Sequence, residues 1–165
     1  MGELRAIPLR GMGEIRAGDS LAEKIVQALR QRKLRLENGD ILIVTHKIVS
    51  KAEGRVVRLR EVKPMQPARR WARRYGLDAR VVELALRESR RVVRMQHGVL
   101  ITETAHGLVC ANSGLDVSNV DGGKSAVLLP ADPDKSAAAL REELKKRTGR
   151  AVVVIITDSF GRPWR

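Results

Sequence analysis

Cysteine is almost absent. Cys110 is the only one in 165 residues, so no disulfide framework and no multi-cysteine zinc or iron–sulfur centre forms within one chain. Aromatics are nearly as scarce, two Trp with one Tyr and one Phe, which leaves the bulk of the core to Val, Ile, Leu and Ala. So few rings also argue against extended stacking platforms for nucleic-acid bases. No apolar run approaches the ~20 residues of a membrane span. The opening Gly2-Glu3-Leu4-Arg5 lacks the character of a signal peptide. A cytoplasmic location without membrane contact is expected. Neither a Gly-x-x-x-x-Gly-Lys-Ser/Thr loop nor a dinucleotide fingerprint occurs, so these two glycine-rich phosphate cradles are excluded in recognisable form.

What the chain does have is 43% apolar residues and a large excess of positive charge. Its 165 residues suit one domain and can bury an ordinary core without a staple. The 32 basic residues against 19 acidic give +13, and residues 55–94 alone hold 13 Arg or Lys against four Asp or Glu, a net of +9. Such a segment attracts polyanions, whether nucleic acid, a phosphorylated cofactor or an acidic membrane surface, and bulk charge does not choose among them. A solvated basic face with no specific ligand is the plain alternative.

Leu4 to Leu9 reads as a short strand leading into the turn Gly11-Met12-Gly13. Ser20 with Glu23 has capping-box form, and Leu21, Ile25, Ala28 and Leu29 make one apolar stripe, predicting a helix from 21 to about 32. The β-branched run Ile41–Val44 reads as a central strand covered on both faces. The polar–apolar stretch 45–54 that follows is expected to wrap close to the core. Residues 55–60 read as a strand or hairpin with basic groups to solvent. Helices are predicted at 67–75, stopped by Gly76, and after the cap Asp78. Short strands occupy 91–110, with turns at His97-Gly98 and His106-Gly107. Asp132-Pro133 opens a helix that ends near Gly149, and Ala151–Ile156 is a second long apolar strand. This is a mixed α/β arrangement of the α+β class. Several short strands lack helical crossovers, so a doubly wound, Rossmann-like sheet is a poor match. Residues 1–165 form one domain, and a strand followed by a polar loop at its end predicts that the domain is incomplete.

Two polar loops carry the candidate chemistry. Asp116 lies in the glycine-broken stretch 111–123, and Asp158 directly follows the last apolar strand. Brought together, their hard carboxylate oxygens, with water and phosphate oxygens, make a Mg²⁺ or Mn²⁺ site. Ser159 would add a hydroxyl, and Asn119 a group for a base or phosphate. The alternative is that both aspartates merely make Asx-turns. Lys47, Lys51 and Arg162 are candidate phosphate clamps, the two lysines aligned only if their stretch is helical. His46, His97 and His106 show no metal spacing, and a hydrogen-bonded structural role suits His46 better than acid–base work. Cys110 reads as an inert buried thiol, and Ser113 and Ser118 lack a Ser–His–Asp arrangement.

Four blocks resemble the coenzyme F420-0:L-glutamate ligase family: Met12–Asp19, Ile48–Gly54, Asn112–Val120 and Ile156–Arg165, in the family's order. The resemblance implies a GTP-dependent γ-glutamyl ligase of unusual mixed α/β fold, working as a homodimer. It implies Mg²⁺ or Mn²⁺, with K⁺ as a further ion, and GTP, L-glutamate and coenzyme F420-0 as ligands. Met12, Gly13, Glu14 and Ile15 match the segment lying against the nucleotide, and His46, Lys47, Lys51 and Asn119 match positions associated with GTP. Asp116, Asp158 and Ser159 match the metal-holding positions. Position 159 is more usually Thr, and Gly13 stands where proline is often seen. Lys51 and Arg162 are the expected catalytic cations, neutralising charge as a phosphoryl group moves from GTP to a carboxylate. Family members continue beyond the position of Arg165, adding a glutamine metal ligand and another nucleotide loop, so the chain is expected to be C-terminally truncated. A separate C-terminal ligase segment is then an implied partner. The competing readings are an inactive or split ligase fragment and a basic nucleic-acid-binding module, for which no recognised motif speaks.

Overall fold

The computed structural model describes residues 4–117 and 121–158 and shows a mixed α/β fold. Five helices and seven strands follow in the order α1 (Leu21–Gln31), β1 (Ile41–Thr45), α2 (His46–Ala52), β2 (Val56–Arg58), α3 (Gln66–Tyr75), α4 (Ala79–Arg87), β3 (Ser89–Gln96), β4 (Val99–Thr104), β5 (Val109–Ala111), β6 (Ser125–Val127), α5 (Pro133–Thr148) and β7 (Val153–Thr157). Among the described residues no helix is long and apolar enough to cross a membrane.

Local chemistry sets most helix ends. The Ser20 hydroxyl accepts the Glu23 N–H at 3.1 Å and itself donates to Glu143 on α5 at 2.8 Å, so one side chain caps α1 and fastens it to a neighbour. Asp78 caps α4 and Asp132 caps α5, while Gly76 and Gly149 end α3 and α5 in the left-handed conformation.

The strands form three small sheets: a parallel pair β1–β7, an antiparallel pair β2–β6, and the meander β3–β4–β5. One core gathers Ile15, Leu21, Ile25, Val44, Val49, Leu140, Leu144 and Val152 between α1, α2, α5 and the parallel pair. A second sets Ala68 and Ala72 of α3 and Val82 and Ala85 of α4 against Leu100 of β4. A third joins Leu59, Val62, Leu84 and Ala126.

Two expectations need correction. Leu4–Leu9 forms no strand among the described residues; Leu4 is 95% exposed, and only Leu9 at its end packs against the core. The β1 strand is not covered on both faces, because Ile41 and Ile43 are 58% and 65% exposed. They lie opposite Val153 and Ile155, which are exposed too, so the pair leaves one apolar face open. The stretch after β1 does lie against the core, as expected, entering α2 at once with Val49 buried there and Ile48 and Ala52 packed alongside.

Candidate active site

Helix α2 organises the site. Its first two residues are His46, buried, and Lys47, and Lys51 stands four positions on, on the same face as Lys47. His46 Nε2 lies 3.2 Å from Asp158 Oδ1, Lys47 Nζ is ion-paired with Asp116 Oδ2, and Lys51 Nζ sits 3.9 Å from Glu14 Oε1. Three carboxylates from three distant parts of the chain thus converge on one short helix. The helical alignment of Lys47 and Lys51, left conditional by the sequence, is present.

Each partner arrives by a different route. Asp158 follows β7, whose register against β1 sets Thr157 beside Thr45 and so delivers Asp158 next to the start of α2. Glu14 lies in a strap clipped to α2 by the Gly18 N–H to Ala52 C=O bond of 2.8 Å, with Ile15 buried and Met12 packed on the same core. Gly13 in this strap has φ +66°, a backbone that proline, held near −65°, cannot adopt.

Asp116 is aimed by an unusual turn. Asn112, Ser113 and Gly114 all have positive φ, at 48°, 54° and 69°. Two non-glycine residues in this region carry strain that the surroundings must offset. Ser113, 1% exposed, supplies the hold: its Oγ donates to Ala85 C=O at 2.6 Å and its N–H donates to Thr102 Oγ1 at 3.0 Å. Gly114 is obligatory for a second reason, since a Cβ there would stand 2.9 Å from the Leu129 side chain. Asp116 then exchanges two backbone bonds with Val127 of β6, at 3.0 and 2.8 Å. Sequence reasoning set Ser113 aside because it looked for a nucleophile; the Asn-Ser-Gly run is a positioning turn.

The thiol of Cys110, buried on β5, is pushed to a higher pKa by burial first and by the negative charge of Asp158 second. It stays protonated near neutrality, as expected of an inert thiol. His46 Nδ1 and Ser50 Oγ are buried and have no hydrogen-bond partner among the described residues. Asn119, Ser159 and Arg162 lie outside the described residues. Among those described, no three His, Cys, Asp or Glu side chains form a ready metal-binding group. Asp116 and Asp158 each carry hard carboxylate oxygens of the kind Mg²⁺ and Mn²⁺ take.

The profile of the F420-0:gamma-glutamyl ligase family matches residues 11–165, a span holding every side chain just described. The chain belongs to this family. It is 45% identical over 159 residues to the coenzyme F420:L-glutamate ligase of Methanothermobacter thermautotrophicus, covering 96% of this chain and 63% of that protein. The enzyme of the same name from Methanopyrus kandleri is 45% identical over 162 residues, 98% of this chain and 62% of the relative. That from Archaeoglobus fulgidus is 41% identical over 162 residues, with the same coverage. The chain therefore spans under two thirds of the length of the curated ligases it matches.

Proposed function

We propose that this chain carries the metal- and phosphate-binding face of a ligase that joins L-glutamate in amide linkage to the terminal carboxylate of coenzyme F420-0, consuming GTP. The observation that supports it is the α2 array, in which Lys47 and Lys51 alternate with the carboxylates of Asp116, Asp158 and Glu14.

A carboxylate is a poor electrophile and must be activated before an amine attacks it. One carboxylate oxygen of the acceptor takes the γ-phosphoryl group of GTP, the β–γ bridging bond breaks, and GDP leaves. The glutamate nitrogen then forms the amide bond as phosphate departs and the ammonium proton is released. This balances without a protein nucleophile, in keeping with the protonated Cys110 and the structural Ser113. Lys51 is assigned to the transferring phosphate, and Lys47 passes from Asp116 to a phosphate oxygen when nucleotide binds. His46 holds the Asp158 carboxylate in place. Met12, Gly13 and Ile15 form the strap beside the nucleotide, and Asn119, Ser159 and Arg162 complete the assignment by resemblance. When bound between Asp116 and Asp158, Mg²⁺ or Mn²⁺ would offset negative charge on the moving phosphoryl group.

The reading extends to a cytoplasmic homodimer. Full turnover is assigned to the 165 residues together with the further length present in the relatives. The test is calorimetry of GTP with and without Mn²⁺, followed by mass analysis of deazaflavin products from F420-0 and L-glutamate. Saturable, Mn²⁺-dependent GTP binding supports the reading, and its absence from the folded chain contradicts it. Product formed by these 165 residues at the rate of a full-length relative would overturn the need for the further length.

A further inference from the structure

Away from Asp116 and Asp158, the described residues form an open, concave cavity of about 450 Å³ with a strongly basic lining. Arg58, Arg60, Arg80 and Lys124 face it, with Asp121 the one carboxylate and Ser125 on its wall. The cluster is a product of strand pairing. Arg58 on β2 lies opposite Ser125 on β6, which brings Lys124 beside it, and the start of α4 contributes Arg80. The positive excess of residues 55–94 thereby acquires a location. Arg69, Arg70, Arg73 and Arg74 of α3 all face solvent, whereas Arg58, Arg60 and Arg80 converge.

The cations are only partly neutralised. Arg58 and Arg60 share one exposed carboxylate, Glu61, at 3.8 and 3.9 Å, contacts too long and too wet to hold them. Arg80 is oriented by Asp78, with Nε to Oδ1 at 2.9 Å and Nη2 to Oδ2 at 2.6 Å. Asp121 is engaged by the Ser125 hydroxyl at 3.1 Å. Lys124 makes no ion pair among the described residues. The guanidinium groups of Arg58 and Arg60 beside a concave space suit the forked recognition of phosphate oxygens, with Arg80, held by Asp78, and Lys124 adding positive charge, and the volume is that of a small-molecule site.

We propose that this cavity binds a phosphorylated small molecule presenting two or three anionic groups. The sheet links it to the candidate active site. Ser125 and Val127 are two residues apart on β6, about 7 Å along the strand, and Val127 is the residue whose backbone holds Asp116. Resting on the ligase reading, the occupant is the acceptor, anchored by its phosphate end while its carboxylate extends to Asp116. Binding to the cavity does not itself require that reading.

Calorimetry without metal, at physiological salt, compares inorganic tripolyphosphate with citrate, which carries carboxylates alone. Tripolyphosphate is expected to bind at least about tenfold more tightly than citrate, and an Arg58→Gln/Lys124→Gln double variant to lose at least about tenfold. Lys124→Glu should lose more, and Arg73→Gln, on the solvent face of α3, should change nothing. These side chains are exposed, and circular dichroism confirms that the variants are folded. Affinity unmoved by the cavity variants, or lost equally in Arg73→Gln, overturns the proposal. So does equal binding of both anions, or displacement by single-stranded RNA with a steep salt dependence, which would mark a nucleic-acid surface. Tripolyphosphate binding without Mn²⁺-dependent GTP binding would sustain the cavity and sink the ligase reading; the reverse would sink the cavity alone.

Discussion

Lys47 at the start of α2 holds the carboxylate of Asp116 in the turn after β5, so the residue best placed to bind a cation is already engaged by one. A divalent ion must displace the ammonium, whereas an incoming phosphate offers it a new partner. Lys47→Met is therefore expected to shift two affinities in opposite directions. Mn²⁺ binding without nucleotide should tighten by roughly fivefold, the worth of an ion pair of about 1 kcal/mol whose side chains are 27% and 23% exposed, while GTP binding weakens. Titration of each ligand alone checks this, and two changes of the same sign would contradict it.

Lys51 is 17% exposed, and its one ion-pair contact among the described residues, to the exposed Glu14, is long at 3.9 Å. A charge-assisted bond to a partly desolvated phosphate is worth about 1.5–3 kcal/mol. Lys51→Met should weaken GTP binding by roughly 10- to 150-fold at fixed Mn²⁺. Unchanged affinity with an intact fold would remove Lys51 from the phosphate site.

Gly114→Ala meets two obstacles, a backbone φ of +69° and the Leu129 side chain 2.9 Å from the new Cβ. Left-handed strain and overpacking together should cost about 2–4 kcal/mol. Trimming Leu129 to Ala in the same chain should relieve the steric part and leave the backbone part. Denaturant unfolding of the single and double variants separates the two, and strictly additive losses would contradict the contact.

Glu83 is a buried carboxylate, 4% exposed, whose Oε2 accepts the Met65 N–H at 2.8 Å and whose Oε1 accepts from Arg87 at 2.8 Å. The Met65 backbone bond, and then Arg87, hold its pKa below the usual range. With the folded pKa below the unfolded one, its stabilisation is complete above about pH 4.3 and is lost as pH falls through the folded value. Glu83→Gln should cost about 1–3 kcal/mol at pH 7 and flatten the acid side of a melting-temperature profile. An acid limb as steep as that of the parent would contradict this role.

What the sequence revealed was mostly local. Ser20, Asp78 and Asp132 cap helices because the bond they make spans two or three residues, and Gly76 and Gly149 end helices for an equally local reason. The run Ile41–Val44 announced a strand but not its surroundings, since apolar residues look alike whether one face is covered or both. Leu4–Leu9 forms no strand because a short apolar segment does not supply its own partner. Asp116 and Asp158 stood out by their loops, yet nothing local shows that His46 and Lys47 receive them, because that depends on the β1–β7 register and the β6 bridge. Of the left-handed trio only Gly114 advertises itself; Asn112 and Ser113 depend on Thr102 and Ala85. The basic cavity was illegible for the same reason, being assembled by β2 against β6.

In the proposed function Asp116 and Asp158 serve one divalent cation. Electron paramagnetic resonance of Mn²⁺ titrated into the parent chain, Asp116→Asn and Asp158→Asn measures it directly. The account predicts one saturable Mn²⁺ site in the parent and its loss, or a weakening of at least about tenfold, in each variant alone. Undiminished Mn²⁺ binding in either folded variant would contradict it.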